Sequence, residues 1–332
     1  MKALRPLLAA AVVLGVAAGP AAAEWPEKPI TIIVPWSAGG STDQVTRVIA
    51  GELSDALDQE VVVVNQPGAS GSIGTKSALD AAKDGYTWTA GAAQDLGSYG
   101  VLGMLETKID EWHLFLDVAN VSVVGVNADA PYQDFGQLLE AMKANPGQVA
   151  VATAGIASAG HNTMEAIAGV ADISYKNVTY DGGNPAVIAT VAGETEVTTQ
   201  LAVEQAEMIR GGKIRPLAVA SDAALELAGF GTIPPITQWL ADYNAVPNYF
   251  GIWTPKGVPD EVVQKMEAAW SDRIANSQAL KDYAANRGAQ FAPYSGEDAQ
   301  KRVFPAIQAF SWLMYDAGKA QVAPDQLGIP RP

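Results

Sequence analysis

The sequence contains no cysteine and only two histidines among its 332 residues. Without cysteine the chain has no disulfide, no thiolate nucleophile and no cysteine-ligated zinc site. The two histidines, His113 and His161, lie far apart, and no H-E-x-x-H or EF-hand pattern accompanies them. We therefore expect neither a metal nor another cofactor, and we interpret His113, beside Trp112 and Phe115, as a packing residue.

Basic residues are scarce as well. Lys and Arg number 21 against 36 Asp and Glu, which gives a formal net charge of −15. Because nucleic acids and anionic membranes are negatively charged, we expect neither as a partner. Beyond the N-terminal region no apolar run approaches the roughly 20 residues that a membrane helix needs, so the sequence predicts a soluble mature chain.

The first 23 residues have the pattern of a secretory signal. Lys2 and Arg5 provide the positive start, 7–18 is an apolar run, and Ala23 ends a small-residue cleavage site. We expect export and cleavage after about Ala23. The 309 residues left of the 332 can bury a large core without disulfides, and their number favours two domains.

Apolar runs, each followed by a loop and a segment with helical spacing, recur along the chain. Such runs are typical of parallel strands that are covered on both faces. The predicted strands are 30–34, 60–64, 86–90, 121–127, 148–153, 177–180, 196–201, 213–220 and a return strand at 249–253. This order predicts an α/β protein with two doubly wound domains and a cleft between them. We place domain 1 at 24–126 and 249–332, and domain 2 at 127–248.

The loop Pro35–Asp43 joins the first predicted strand to a helix. Its glycines allow a ligand to approach the backbone, and the free N–H groups of the helix's first turn carry partial positive charge. Trp36 lies within this loop, so we expect it at the cleft, whereas Trp253 and Trp270 are predicted in the core. The loop is therefore a candidate anion site, although any strand-to-helix loop can carry glycine for its geometry alone.

Ser158 and His161 permit an alternative interpretation, an exported serine hydrolase with Asp43 or Asp181 as its third member. The G-x-S-x-G pattern around a nucleophilic serine is absent. If Asn162 opens a helix, Ser158 and His161 lie at its start, where both can cap the helix or bind a carboxylate. The sequence favours binding over catalysis and leaves both open, since a triad is defined by geometry.

Together these stretches resemble one family, the periplasmic substrate-binding proteins of tripartite tricarboxylate transporters, also called Bug or TctC-like proteins. The resemblance covers nearly the whole mature chain. It rests on short motifs in the family's order: Trp25–Ile30, Val34–Trp36 with Gly39, Gly40 and Asp43, Asn65–Ala69 with Gly71, Ile73 and Gly74, Asp84–Thr87, Asn145–Gly147, and Val178–Tyr180 with Gly182 and Gly183.

The resemblance implies a two-lobed, class II-type binding protein and not an enzyme. Such a protein closes on a small carboxylate, a di- or tricarboxylate or a related organic acid, and delivers it to membrane permease subunits from the periplasm. We expect a monomer; a ligand-sensing subunit that docks on a signalling partner would use the same pocket. Carried over by position, the resemblance nominates Trp36, Ser37, Ala38, Gly39, Asp43, Ala92, Ala93, Thr153, Gly155, Ser158, His161, Tyr180, Asp181 and Gly183 as ligand-binding residues.

Overall fold

The fold is described for residues 24–332 by a computed structural model; the predicted signal at 1–23 lies outside the described residues. The strands are β1 (Ile30–Val34), β2 (Val61–Asn65), β3 (Thr87–Ala92), β4 (Trp112–Asn120), β5 (Val123–Asn127), β6 (Ala150–Thr153), β7 (Lys176–Thr179), β8 (Val197–Thr198), β9 (Ile214–Val219), β10 (Leu225–Leu227), β11 (Gly231–Ile233), β12 (Asn248–Pro255) and β13 (Gln290–Phe291). The helices are α1 (Ser41–Leu57), α2 (Ser72–Leu79), α3 (Ala93–Val101), α4 (Phe135–Ala144), α5 (Ala159–Ala171), α6 (Gly183–Val191), α7 (Ala202–Arg210), α8 (Asp260–Asp272), α9 (Gln278–Arg287) and α10 (Gly296–Asp316). Within this part of the chain no helix is both long and apolar enough to cross a bilayer.

The two large sheets are mixed and have corresponding strand orders. The first sheet runs β2-β1-β3-β12-β4-β13, and the second runs β7-β6-β8-β5-β9, so the orders correspond strand by strand except for the additional edge strand β13. Strands β1, β2 and β3 pair in parallel, as do β6, β7 and β8. The reversed strands are β12 and the short edge strand β13 in the first sheet and β5 in the second. The two-domain α/β prediction is therefore confirmed, with reversed strands in both sheets.

The reversed strands β5 and β12 are the first that the chain forms in each sheet after it has left the other lobe. The chain leaves the first sheet after Asn120 and enters the second at Val123, and it returns from β11 to β12 at Asn248. In the register of β4 and β12, Asn120 lies opposite Asn248. The second sheet is thus an uninterrupted segment of chain. The first strand of the second sheet is β5, at Val123–Asn127. The predicted domain boundary, after residue 126, falls inside this strand.

The strand-to-helix pattern is found at each predicted position, with shifts of a few residues. The elements that were not predicted include the long strand β4, the short helix α3 and the short strands β10 and β13. The segment 232–248, expected to be irregular, contributes to β11, and α10 continues through Pro305, where a kink was expected. Helix α5 begins at Ala159 and not at Asn162, because Ser158 is its N-cap residue. This last shift alters the direction of the side chains at its start.

The core is filled by large side chains from the middle of the strands. Trp88, Trp112, Trp253 and Trp270 are at most 1% exposed. Trp253 and Trp270 are therefore core residues, as predicted. His113 is half-buried in β4, which agrees with its interpretation as a packing residue. Because this interior is well packed, the loops at the carboxyl ends of the strands are held in fixed positions.

Candidate functional site

Loops from both sheets enclose a cavity of about 30 Å³, the space of one or two water molecules. We call it the interlobe cavity, and we call the parts of the molecule around the first and second sheets the first and second lobes. Its walls come from the first turns of helices α1, α3, α5, α6 and α7 and from β12. The residues that line it are Trp36, Gly40, Ser41, Thr42, Ala92, Asp95, Ala154, Ser158, Ala159, Gly183, Gln200, Leu201, Glu204 and Phe250.

Asp43 organises the first loop of the site. Its Oδ2 accepts a hydrogen bond from the Gly39 amide at 2.9 Å, and its Oδ1 accepts one from Asn65 Nδ2 at 2.9 Å. Arg47 Nη2 lies 2.8 Å from the same Oδ1. Burial by itself would raise the pKa of Asp43, but these hydrogen bonds and the Arg47 charge lower it overall. Asp43 therefore positions the loop and is absent from the cavity wall.

The two lobes touch directly beside the cavity. Ser37 N donates to the carbonyl oxygen of Asp181 at 3.3 Å, and Ser37 Oγ donates to the same oxygen. Gly155, with φ of +113°, approaches Ser70 so closely that a Cβ atom at position 155 would lie 3.1 Å from Ser70 Cβ and would clash with Ser70 Oγ. These contacts define a closed arrangement of the two lobes around the cavity.

Glu204 places a carboxylate at the junction of three helix N-termini. Its Oε1 accepts from Ser41 N, in the first turn of α1, at 3.1 Å, and its Oε2 accepts from Leu201 N, at the start of α7, at 3.3 Å. With its amide oriented to satisfy both ends, Gln200 donates to Oε2 at 3.1 Å. A Cβ atom on Gly183, the first residue of α6, would collide with the carboxylate.

Burial raises the pKa of Glu204, and the hydrogen bonds from Ser41 and Leu201 offset only part of that rise. The site that the sequence predicted for a ligand anion at the start of α1 thus already holds a carboxyl group from the opposite lobe. The partial positive charges of the helix ends favour negative charge here, by about 0.3–1 kcal/mol for each end.

Asp95 is the second carboxyl group at the cavity. It lies in the first turn of α3 and is only 4% exposed. Burial raises its pKa well above the usual value, and a backbone hydrogen bond from Ala92 lowers it only in part. Its Oδ1 has no hydrogen-bond partner among residues 24–332. A buried acceptor without a donor is costly, so this atom is a contact point that the protein itself does not use.

Ser158 and His161 do not form a catalytic pair. Ser158 Oγ donates to the Gly155 carbonyl at 2.7 Å and accepts from the His161 backbone N–H at 3.3 Å, which is the geometry of an N-cap. The His161 ring points away from the cavity, with Nδ1 3.3 Å from Tyr175 Oη and Nε2 3.8 Å from Glu165. Burial lowers the pKa of His161 to about 4, so the ring is neutral at pH 7.

Some of the remaining predicted residues line the cavity, and others lie outside its wall. Ala92 and Gly183 line the cavity, as Trp36 and Ser158 do, and Ala93, the residue after Ala92, is buried. Thr153 is fully buried and donates to Asn177 Oδ1 at 2.9 Å. The residues outside the cavity wall include Ala38, Gly39, Tyr180 and Asp181. Tyr180 Oη donates a hydrogen bond to Glu194 at 3.2 Å.

Among the residues that line the cavity, the sequence analysis missed the acids Asp95 and Glu204 and also Gln200 and Phe250. The signal for Asp95 and Glu204 was present, because each follows a predicted strand by a few residues and lies in the first turn of a helix. An acidic residue there is also a common stabiliser of the helix dipole, so its type alone does not separate the two roles. Only the closure of the second lobe on the first brings Glu204 to α1.

Comparison with known proteins gives concordant relatives. The sequence profile described as "Tripartite tricarboxylate transporter family receptor" matches residues 45–309. Protein BugT of Bordetella pertussis (strain Tohama I) is 29% identical over 307 residues, which covers 90% of this chain and 91% of BugT. The profile match runs through both lobes.

Solved structures agree with this. One described as a periplasmic transporter has a TM-score of 0.79 and 26% identity, and the match covers 90% of this chain and 99% of that one. An R. palustris protein solved with adipate has a TM-score of 0.80 and 23% identity, with 89% of this chain and 99% of that chain covered. The architecture is therefore that of a two-lobed periplasmic binding protein.

Proposed function

The chain belongs to the tripartite tricarboxylate transporter family receptors, and from this membership we propose that it captures a small carboxylate between its two lobes and delivers it to a membrane transporter. The family consists of solute-binding proteins and not of enzymes. The R. palustris relative was solved with adipate, a dicarboxylate. A di- or tricarboxylate, or a related organic acid, is the ligand class we propose here.

The observation that carries the proposal is the environment of the Glu204 carboxylate. Backbone amides of Ser41 and Leu201 donate to it, and Gly183 leaves room for it at a third helix start. A site that binds a carboxylate of the chain itself has the amides and dipoles to bind a carboxylate of a ligand. Recognition would use backbone N–H groups and waters, since none of the described cavity-lining side chains is basic.

Binding requires the lobes to separate and close again. The contacts between Ser37 and Asp181 and between Gly155 and Ser70 hold the lobes against each other, so a ligand enters when these contacts open. The two crossings between the sheets, at 121–122 and at 234–247, are the segments that can bend as a hinge. During entry, the ligand would displace the hydrogen bonds between Ser37 and Asp181. Once bound between the lobes, it would stabilise the closed state. Of the predicted binding residues, we retain Trp36, Ala92, Ser158 and Gly183 as direct contacts.

A thermal-shift screen tests the proposal. The purified chain without 1–23 is heated with mono-, di- and tricarboxylates, and in parallel with sugars and with amines that lack a carboxylate. A ligand present at 100 times its Kd should stabilise the protein by about 2.7 kcal/mol. At least one carboxylate should raise the melting temperature. If only sugars or amines without a carboxylate do so, the proposed function is wrong.

Delivery and address are tested in cells. We propose export by the segment 1–23, a monomeric protein in the periplasm, and permease subunits as the partner. Deletion of the gene should abolish uptake of the carboxylate found in the screen, and the protein should appear in the periplasmic fraction at its monomer mass. Normal uptake without the protein, combined with a defect in a signalling response to the same ligand, would favour the sensing role instead.

A further inference from the structure

The interlobe cavity contains more acid than a carboxylate ligand alone explains. Both Asp95 and Glu204 line it, and none of the described side chains in its wall is basic. Glu204 has its hydrogen bonds from the helix starts. Asp95 does not have a full set, because its Oδ1 is buried with no partner among the described residues, and the side chain is 4% exposed. An anionic ligand would bring a further negative charge and no donor for this atom.

Two aromatic rings complete the cavity wall. Trp36 is 9% exposed and Phe250 is 3% exposed, and both line the cavity with the carboxyl groups. The faces of aromatic rings attract cations, and the attraction grows when water is excluded. Carboxylates and aromatic faces together form the environment in which proteins hold a protonated amine. In this part of the cavity, the carboxyl groups of Asp95 and Glu204 would repel a purely anionic ligand.

We propose that the ligand is an amino carboxylate, whose ammonium group donates to Asp95 and is shared with Glu204. This inference rests on the proposed function and specifies its ligand. The carboxylate of the same ligand would lie toward the first turn of α5, where Ala159 faces the cavity and the amides of a first turn lack partners within the helix. The ammonium group supplies the donor that the Asp95 Oδ1 atom lacks.

The amino group of the ligand offsets part of the negative charge of the two carboxyl groups. Burial raises the pKa of both Asp95 and Glu204, which reflects the cost of holding two carboxylates in a closed cavity. A protonated amine placed against them lowers that cost for the ionised forms. A ligand without the amine brings no positive charge to the two carboxyl groups and should be the weaker ligand.

Matched ligand pairs test the assignment by isothermal titration calorimetry. The pairs are L-aspartate and succinate, L-glutamate and glutarate, and L-2-aminoadipate and adipate, which differ only in the amino group. For any other carboxylate found in the screen, its 2-amino counterpart is added. The wild-type protein should bind the amino member of at least one pair ten times more tightly or better.

The variant Asp95→Asn keeps the size of the side chain and removes its charge. It should weaken the amino ligand at least tenfold and leave the partner ligand within about threefold of its wild-type Kd, or improve it. Glu204→Gln should shift the same ratio in the same direction. The control Asp129→Asn, at an exposed position outside the cavity, should leave both affinities unchanged. Circular dichroism and melting temperature verify that each variant is folded.

The outcomes separate the two proposals. If the wild-type protein binds succinate, glutarate or adipate as tightly as the amino counterpart, the amine assignment is overturned and the carboxylate receptor stands. If the amino ligand is preferred but Asp95→Asn keeps that preference, the assignment to Asp95 is wrong. If no carboxylate of either kind binds, the proposed function fails with it.

Discussion

Substitution of Gly155 by alanine should specifically destabilise the closed arrangement of the lobes. Gly155 lies in the second lobe, and its neighbour Ser70 belongs to the first. A Cβ atom on residue 155 would lie 3.1 Å from Ser70 Cβ and still closer to Ser70 Oγ. When the lobes separate, this contact disappears. The steric penalty therefore applies only to the closed state, to which the ligand is bound.

The magnitude has two parts. A φ of +113° is strained for any residue except glycine, and a strained backbone costs about 1–3 kcal/mol in either state of the lobes. Overpacking of a tight contact costs about 1–3 kcal/mol more, and only on closure. Because each 1.4 kcal/mol is tenfold in a binding constant, the affinity of Gly155→Ala should fall by about five- to 150-fold.

The control variant is Gly193→Ala. Gly193 also has a positive φ, of +80°, but a Cβ atom there would meet nothing within 4 Å. Both variants should lose unfolding free energy in urea, whereas only Gly155→Ala should lose affinity for the carboxylate found in the screen. The double variant Gly155→Ala with Ser70→Ala removes the nearest atom of the obstacle and should recover part of the affinity. The reasoning fails if Gly155→Ala is destabilised as Gly193→Ala is and yet keeps the wild-type Kd.

Three further predictions follow from single side chains. Asp43→Ala removes the acceptor that orders the Gly39 amide, so calorimetry should find weaker ligand binding and urea unfolding a loss of about 1–3 kcal/mol; unchanged affinity would remove Asp43 from the site. Burial raises the pKa of Asp117 to about 8. The folded state then keeps a proton that the unfolded chain loses near pH 4. The free energy of unfolding should therefore fall between about pH 4 and pH 8, by on the order of 5 kcal/mol. Asp117→Asn should flatten this pH dependence in urea titrations. Lys319→Met removes an ion pair with Glu165 across the lobes and should raise the Kd by no more than a few-fold, since the lysine is half exposed; a hundredfold loss would contradict this.

Much of the fold was predictable because apolar runs and small-residue loops alternate along the chain. Strands β1 and β2 were found because they are apolar runs without charge. Strand β4 was missed because it carries His113 and Asp117, and a charged residue that the fold buries cannot be distinguished by pattern from one that faces water. The reversal of β5 and β12 was also beyond the pattern, because the direction of these strands depends on where the chain enters each sheet.

The site was predictable at the level of loops and not of side chains. Trp36 and Gly183, which were nominated from their position after strands, line the interlobe cavity. His161 was nominated as a ligand contact, yet its ring contacts Tyr175 and Glu165, because α5 begins three residues earlier than Asn162. The acidic groups were missed because their importance depends on a contact between helices more than 100 residues apart in sequence.

The opposition of Asn120 and Asn248 across β4 and β12 has a consequence for how the chain acquires its structure. All the strands of the second sheet lie between these two residues, so that lobe can fold as soon as its own residues have emerged. The first sheet cannot be completed until β12 inserts between β3 and β4, late in the chain. During synthesis or export from the N-terminus, the second lobe should therefore become protease-resistant before the first.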